Sequence, residues 1–256
     1  MPQEQHRPTL RVLGVLERLA ARPEGETLTQ ICQGLNVPKS SLFPVIHTLE
    51  ERRYLHQDPS TGRYLVGPGA YALGASLSTG RGMAPVVQLM EELVDRCQET
   101  CQLAILDQGE VFYIEKVDSN QAIRTITHVG DRRPANATAL GKALLSGLTD
   151  DQVRDLYPDG LPRLTDRTVT DLGELLGQLA AIRQGDFARE VEESTAELTC
   201  CALPLRKPEG RVFAALSVAT PLFRFTEEKE AQIRDCLLEA RETLERLAER
   251  RDFILQ

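Results

Sequence analysis

The sequence lacks any apolar run near the ~20 residues that a membrane span requires. Its opening residues, MPQEQHRP, lack a signal-peptide core. The expectation is a cytoplasmic protein with no membrane partner. A disulfide or zinc framework is missing too. The six cysteines comprise Cys97 and Cys101 four apart, Cys200 and Cys201 adjacent, and Cys32 and Cys236 alone. No histidine stands at metal-ligand spacing from any of them. They read as small apolar residues of a reducing compartment, mostly buried. No metal and no cofactor is implied. No G-x-G-x-x-G follows a strand, and no Ser or Cys elbow motif appears. One enzyme reading stays open, with Cys200 or Cys201 as nucleophile and Glu190, Glu192 or Glu193 assisting.

Positive charge is also scarce. The net charge is −8 over 256 residues, which at first sight argues against nucleic acid. The two parts of the chain differ, however. Residues 1–67 hold 8 Lys+Arg and 7 Asp+Glu, a net of +1; the remainder holds 22 and 31, a net of −9. An electrostatic footprint of +1 gives modest DNA affinity per chain. Useful affinity would need two or more heads in one assembly.

What the sequence does have is two domains' worth of length and an informative stretch from Thr27 to Gly67. Thr27 with Gln30 has capping-box spacing. Leu28, Ile31 and Leu35 give a short helix one apolar face, and Gly34 to Pro38 ends it. Leu42, Val45, Ile46 and Leu49 form the buried stripe of a second helix. Its other face offers Lys39, Ser40, Ser41, Phe43, His47 and Thr48. Pro44 inside this helix removes a hydrogen bond, so a start at Ser40 or Ser41 with that serine as N-cap, or a kink, is expected. The alternation YLHQDPSTGRYLVG around Pro-Ser-Thr-Gly reads as a β-hairpin. An earlier helix, Thr9 to Ala21, would use Leu10, Leu13, Leu16, Leu19 and Ala20 as its inner face. Together these have the layout of a winged helix-turn-helix, whose second helix enters the DNA major groove; by pattern alone, amphipathic helix pairs followed by a hairpin also occur as plain structural modules. A helical module that pairs with another protein instead of DNA remains the alternative.

Beyond the wing, GPGAYALGASLSTGRGM reads as a short small-residue helix with Tyr71, Leu73 and Leu77, ending near Gly80. A helix from Ala84 to Thr100 follows, with Val87, Leu89, Met90, Leu93, Val94 and Cys97 inward. Strands are expected around the turn Asp107-Gln108-Gly109-Glu110 and through AIRTITHVG. Three further strands are expected in FAREVEE, LTCCALPLRK and VFAALSVATP. Helices open at Asn136-Ala137-Thr138, Thr149, Asp171 and Thr226. This order indicates an α+β domain with an antiparallel sheet flanked by helices. Ala139 and Leu140 lie at a helix start, where free N–H groups favour an anion. Asp131-Arg132-Arg133 reads as a solvated loop, and His128 as a structural histidine on a strand end.

Four segments, in this order, carry a resemblance: VPKSSLFPVIHTLEE, DPSTGRYLVGPGAYALG, ATALGKALLS and CCALPLRKPEGRVFAALSVATP. The chain resembles the IclR family of bacterial transcription regulators from about Thr9 to Leu247. The resemblance implies a winged helix-turn-helix DNA-binding domain over 1–67 and a linker helix over 68–82. It implies a GAF-like effector-binding and oligomerisation domain over 83–256. DNA contacts would come from Lys39, Ser40, Ser41, Phe43, His47 and Thr48, with Arg63 in the wing. Carried over by position, the backbone of Ala139 and Leu140 would receive a polar head. Glu190 would be an acidic pocket residue, and Leu198, Cys200 and Ser217 would line the same pocket. Glu197 stands where a glycine is common, and Ala219 where a second hydroxyl sits. The implied partners are double-stranded DNA with a palindromic operator, a small organic or aromatic acid as effector, and further copies of the chain in a dimer or tetramer. The implied function is effector-controlled, sequence-specific regulation of transcription.

Overall fold

The computed structural model of the protein describes residues 6–79 and 83–249. The chain divides into two compact units, residues 1–80 and 81–256.

The first unit opens with α1 (Arg7–Ala20), α2 (Leu28–Leu35) and α3 (Lys39–Glu51). Thr27 and Gln30 form the capping box on α2, and Asn36 ends it in the left-handed conformation. Strands β1 (Leu55–Gln57) and β2 (Tyr64–Val66) pair antiparallel, Leu55 opposite Val66. Glu26, in the loop before α2, bridges to Tyr64 and widens this ribbon. The core gathers Val15, Leu19, Ile31, Leu42, Ile46, Leu49, Leu55 and Tyr64.

Two expectations need correction here. Leu10 and Leu13 lie outside the core of α1, at 45% and 46% exposure. A spacing of three drifts around a helix, so Leu10 and Leu19 end up about 180° apart at 3.6 residues per turn. The stripe that stays in one sector is Val12, Val15, Leu16 and Leu19. Second, α3 starts at Lys39 with Pro38 as N-cap, and neither Ser40 nor Ser41 caps it. The amides of Ser41 and Leu42 instead both reach the Pro38 carbonyl, at 3.0 and 3.1 Å. The helix runs on through Pro44. α4 (Pro68–Thr79) completes the unit; the side chain of Leu77 and the expected end at Gly80 lie outside the described residues.

The second unit holds a six-stranded antiparallel sheet in the order β5-β4-β3-β8-β7-β6. Its strands are β3 (Thr100–Asp107), β4 (Glu110–Val117), β5 (Arg132–Pro134), β6 (Ala188–Val191), β7 (Leu198–Arg206) and β8 (Val212–Pro221). Gln108 and Gly109, at φ +51° and +84°, form the tight turn between β3 and β4. One face packs α5 (Met83–Cys97) and α9 (Glu227–Glu249) around Met90, Leu103, Leu203, Leu216 and Leu237. The other packs α6 (Ala139–Leu145), α7 (Asp150–Leu156) and α8 (Leu172–Arg183) around Tyr113, Leu145, Leu179 and Ala215. Cys201 joins the first layer and Cys200 the second, as strand alternation requires.

In α5 the inward residue is Val86, with Val87 only half-buried. The stretch AIRTITHVG forms no strand. Its place beside β4 is taken by Arg132–Pro134, and its own polar groups are held by side chains. Lys116 Nζ donates to the Thr127 carbonyl at 2.8 Å, and Gln102 Nε2 to Thr127 Oγ1 at 2.5 Å. His128 is exposed, 3.6 Å from Asp131, and is no structural histidine.

Candidate functional site

In the second unit, the sheet and the start of α6 enclose a concavity of about 330 Å³, including the solvent it opens to. All of Ala139, Leu140, Glu190, Leu198, Cys200 and Ser217 line it. The local sequence explains how. Thr138 Oγ1 accepts the amide of Gly141 at 2.9 Å and starts α6. The amides of Ala139 and Leu140, the first two residues of the helix, have no intrahelical acceptor. Gly141 is required because a Cβ there would lie 2.0 Å from the Ala135 carbonyl oxygen.

Glu190, only 1% exposed, projects from β6. Its carboxylate accepts the amide of Glu193 at 2.8 Å and the hydroxyl of Ser194 at 3.0 Å. Burial pushes its pKa above the ordinary carboxylate value, and these hydrogen bonds oppose the rise. Behind it, Lys142 of α6 is 1% exposed and pairs with Glu193 at 2.5 Å. Glu197, at φ +61°, occupies the left-handed region that favours glycine. Ser217 Oγ lies 3.4 Å from Gln102 Oε1 on the neighbouring strand.

Sequence reasoning missed the opposite wall. Arg133 lines the cavity, half-buried, and donates to the Ser194 carbonyl at 3.4 Å. Among the described residues no carboxylate pairs with it. Arg132 beside it is the solvated member, paired with Asp107 and Glu110. Gln102, Tyr113, Thr125, Thr127, Thr138, Ser194 and Thr195 complete the lining. The single available signal was strand alternation, which puts one of two adjacent arginines inward. An unpaired guanidinium with two free amides attracts an anion; Glu190, Gln102 and Ser217 offer hydrogen bonds to a second polar group. Among the described residues, no group of three His, Cys, Asp or Glu side chains could hold a metal.

In the first unit, α3 exposes Lys39, Ser40, Phe43, Pro44, His47 and Thr48 along one face, with Ser41 half-buried. Phe43 and His47 stack, centroids 6.3 Å apart. Thr48 Oγ1 donates to the Pro44 carbonyl at 2.8 Å. Arg63 turns back from the wing, and its guanidinium donates to the Gly25 carbonyl at 2.7 Å. Arg18 and Arg22 both pair with Glu26.

Both halves match known families. Residues 83–246 match the bacterial transcriptional regulator IclR C-terminal domain, and residues 9–59 match the IclR helix-turn-helix domain. The chain belongs to the IclR family. It is a DNA-binding transcriptional regulator with a C-terminal effector-binding domain. Among relatives, it is 31% identical to the HTH-type transcriptional regulator BhcR of Paracoccus denitrificans, covering 94% of this chain and 88% of that one. It is 30% identical to the HTH-type transcriptional regulator KdgR of Escherichia coli, covering 86% and 84%. The IclR regulator of Alicyclobacillus acidocaldarius has the same fold, with a TM-score of 0.85 at 24% identity over 95% and 99% of the chains. An IclR homologue from Microbacterium hydrocarbonoxydans, crystallised with 4-hydroxybenzoate, gives 0.79 at 24% identity over 93% and 99%. Among the described residues of this IclR-family chain, no helix is long and apolar enough to cross a membrane.

Proposed function

We propose that the cavity between α6 and the sheet binds a small organic acid, and that its occupancy controls how the chain engages a palindromic operator. The observation that supports this best is Arg133, a half-buried guanidinium facing the cavity without a carboxylate partner. The acid would sit between Arg133 and the amides of Ala139 and Leu140. A hydroxyl or oxo group on the acid would meet Glu190, Gln102 or Ser217. The relative crystallised with 4-hydroxybenzoate is consistent with such a ligand.

The division of labour we propose is DNA reading over 1–67, a linker helix over 68–82, and effector binding with oligomerisation over 83–256. DNA contacts would come from Lys39, Ser40, Phe43 and His47. Ser41 and Thr48 would contribute less, since one is half-buried and the other bonds its own helix. Arg63 would act by bracing the wing. With a head near neutrality, a dimer or tetramer supplies the affinity. The effector shifts binding only through different affinities for two arrangements of the heads. The chain would be a cytoplasmic regulator and no enzyme. Burial pushes the Cys200 thiol well above its ordinary value and that of Cys201 to about 12, so neither offers a thiolate.

The test is retention of the upstream promoter fragment by the full chain, titrated with small acids. One or more acids should release or tighten the complex in the wild type. Arg133→Met should lose that response while effector-free binding to DNA stays intact. Equal responses in the two proteins would refute the cavity assignment.

A further inference from the structure

Phe43 does not fit the surface on which it stands. Helix α3 buries Leu42, Ile46 and Leu49, and its opposite face carries Lys39, Ser40, His47 and Thr48. On that polar face the Phe43 ring is 53% exposed. It takes no part in the hydrophobic core of the unit. Its ring contact among the described residues is His47, one turn further on, with the planes only 11° apart. His47 in turn has Nε2 3.6 Å from Glu51 Oε1. The exposed Pro44 extends the apolar strip between Ser40 and His47. The ring therefore lies beside His47, yet the unit itself leaves it half uncovered.

The neighbours of this strip are hydrogen-bonding and cationic groups, which suit base edges and phosphates. Among the base edges of the major groove, one apolar group is available, the C5-methyl of thymine. We propose that Phe43 is a specificity residue whose ring contacts the methyl group of one thymine in each operator half-site, with His47 setting the plane of the ring. This rests on the reading that α3 enters the major groove. It adds a requirement that base pairing cannot express: the protein distinguishes thymine from uracil.

The full-length chain is used to select duplexes from a randomised DNA library. The best duplex is then resynthesised with each thymine singly replaced by uracil, which deletes the methyl and keeps every groove hydrogen bond. At one thymine per half-site, uracil should lower affinity about fourfold, the effect of leaving one methyl unburied. Phe43→Ala removes the contact from both half-sites, so it should weaken binding to the thymine duplex about sixteenfold, the square of that factor, and bind the singly substituted uracil duplex no worse than the thymine duplex. Phe43 is exposed, so this variant folds; Phe43→Leu should retain part of the discrimination.

The proposal is overturned if the wild type selects a sequence but tolerates uracil at every position, or if Phe43→Ala keeps the discrimination. In either case α3 still reads DNA provided that Ser40→Ala or His47→Ala changes the selected sequence. If no sequence is selected, or those two variants select the wild-type sequence, the assignment of α3 fails and the proposal falls with it.

Discussion

The buried pair between Lys142 and Glu193 gives the sharpest test of how the cavity proposed for the effector is built. Lys142 is 1% exposed and its ammonium has Glu193 Oε1 at 2.5 Å and the Arg189 carbonyl at 3.3 Å. The second oxygen of Glu193 accepts the amide of Val169 at 3.3 Å. In Lys142→Met the shape of the side chain is roughly kept but Glu193 retains only that one amide. Removing one member of a buried ion pair costs about 3–5 kcal/mol, because the other is left charged without its partner. For a domain of this size each kcal/mol lowers Tm by about 2–4 °C. The expected shift is therefore about 6–20 °C, read by thermal unfolding of the full chain followed by circular dichroism. Lys142→Met combined with Glu193→Met should recover much of the loss, since no charge is then left alone. The Glu193 amide also fixes Glu190, so the single variant should lose effector response even where it remains folded. A shift below about 2 °C in the single variant, with effector response intact, would refute this account.

Four further outcomes are expected. Burial raises the folded-state pKa of Glu190, so this group favours the native state below the ordinary value of 4.5. That contribution fades as pH rises through the raised value, and the stability profile of Glu190→Gln should be flatter across this window. Asp58 holds the wing turn by accepting the amide and hydroxyl of Ser60 and the hydroxyl of Thr61, which lowers its pKa to about 2. Its contribution is present above the ordinary 3.8 and lost as pH falls toward about 2; Asp58→Ala should loosen the wing and weaken binding to all DNA sequences at neutral pH. Arg63→Lys keeps the charge but not the fixed fork to Gly25; if bracing is its role, gel-shift affinity falls as in Arg63→Ala, whereas a phosphate contact would survive in the lysine variant. Ser217→Ala should weaken effector response and spare effector-free DNA binding, and loss of both would indicate a folding role.

The parts of the fold that were legible in the sequence are those decided locally. The Thr27–Gln30 and Thr149–Gln152 capping boxes, the Asp107–Glu110 turn and the α3 stripe each depend on residues within a few positions of one another. Where expectations failed, a distant group had decided the matter. The repeat of leucines every three residues points Leu10 and Leu13 to the core, but the core lies on the side of Val12 and Val15. AIRTITHVG has the composition of a strand; side chains from β3 and β4 hold it as a loop instead. Pro44 favours a helix start at Ser40 or Ser41, or a kink, yet α3 begins at Lys39 and carries Pro44 beyond its first turn on an exposed face.

The same distinction explains which half of the cavity was visible. Glu190, Leu198 and Cys200 lie on β6 and β7, within a dozen residues, so matching their positions placed all three together. The other half is made by the order of the sheet. Ser217 is reached by the family resemblance, but Gln102, directly opposite it across β3 and β8, is more than a hundred residues away in the chain and carries no such mark. Arg133 is brought in by β5, which reaches β3 only through β4. No local pattern marks a residue placed in this way. On the proposed reading Arg133 would supply the charge that selects an acid over a neutral ligand, and the specificity of the cavity would follow from strand order as much as from its motif. Placing a cation on β7 in place of Arg133, as in Thr199→Lys with Arg133→Met, should therefore not restore the response: Thr199 is fully buried and its hydroxyl is committed to the Glu190 carbonyl at 2.8 Å. If that double variant did respond to an acid, net charge near the cavity would suffice, and the argument from strand order would be refuted.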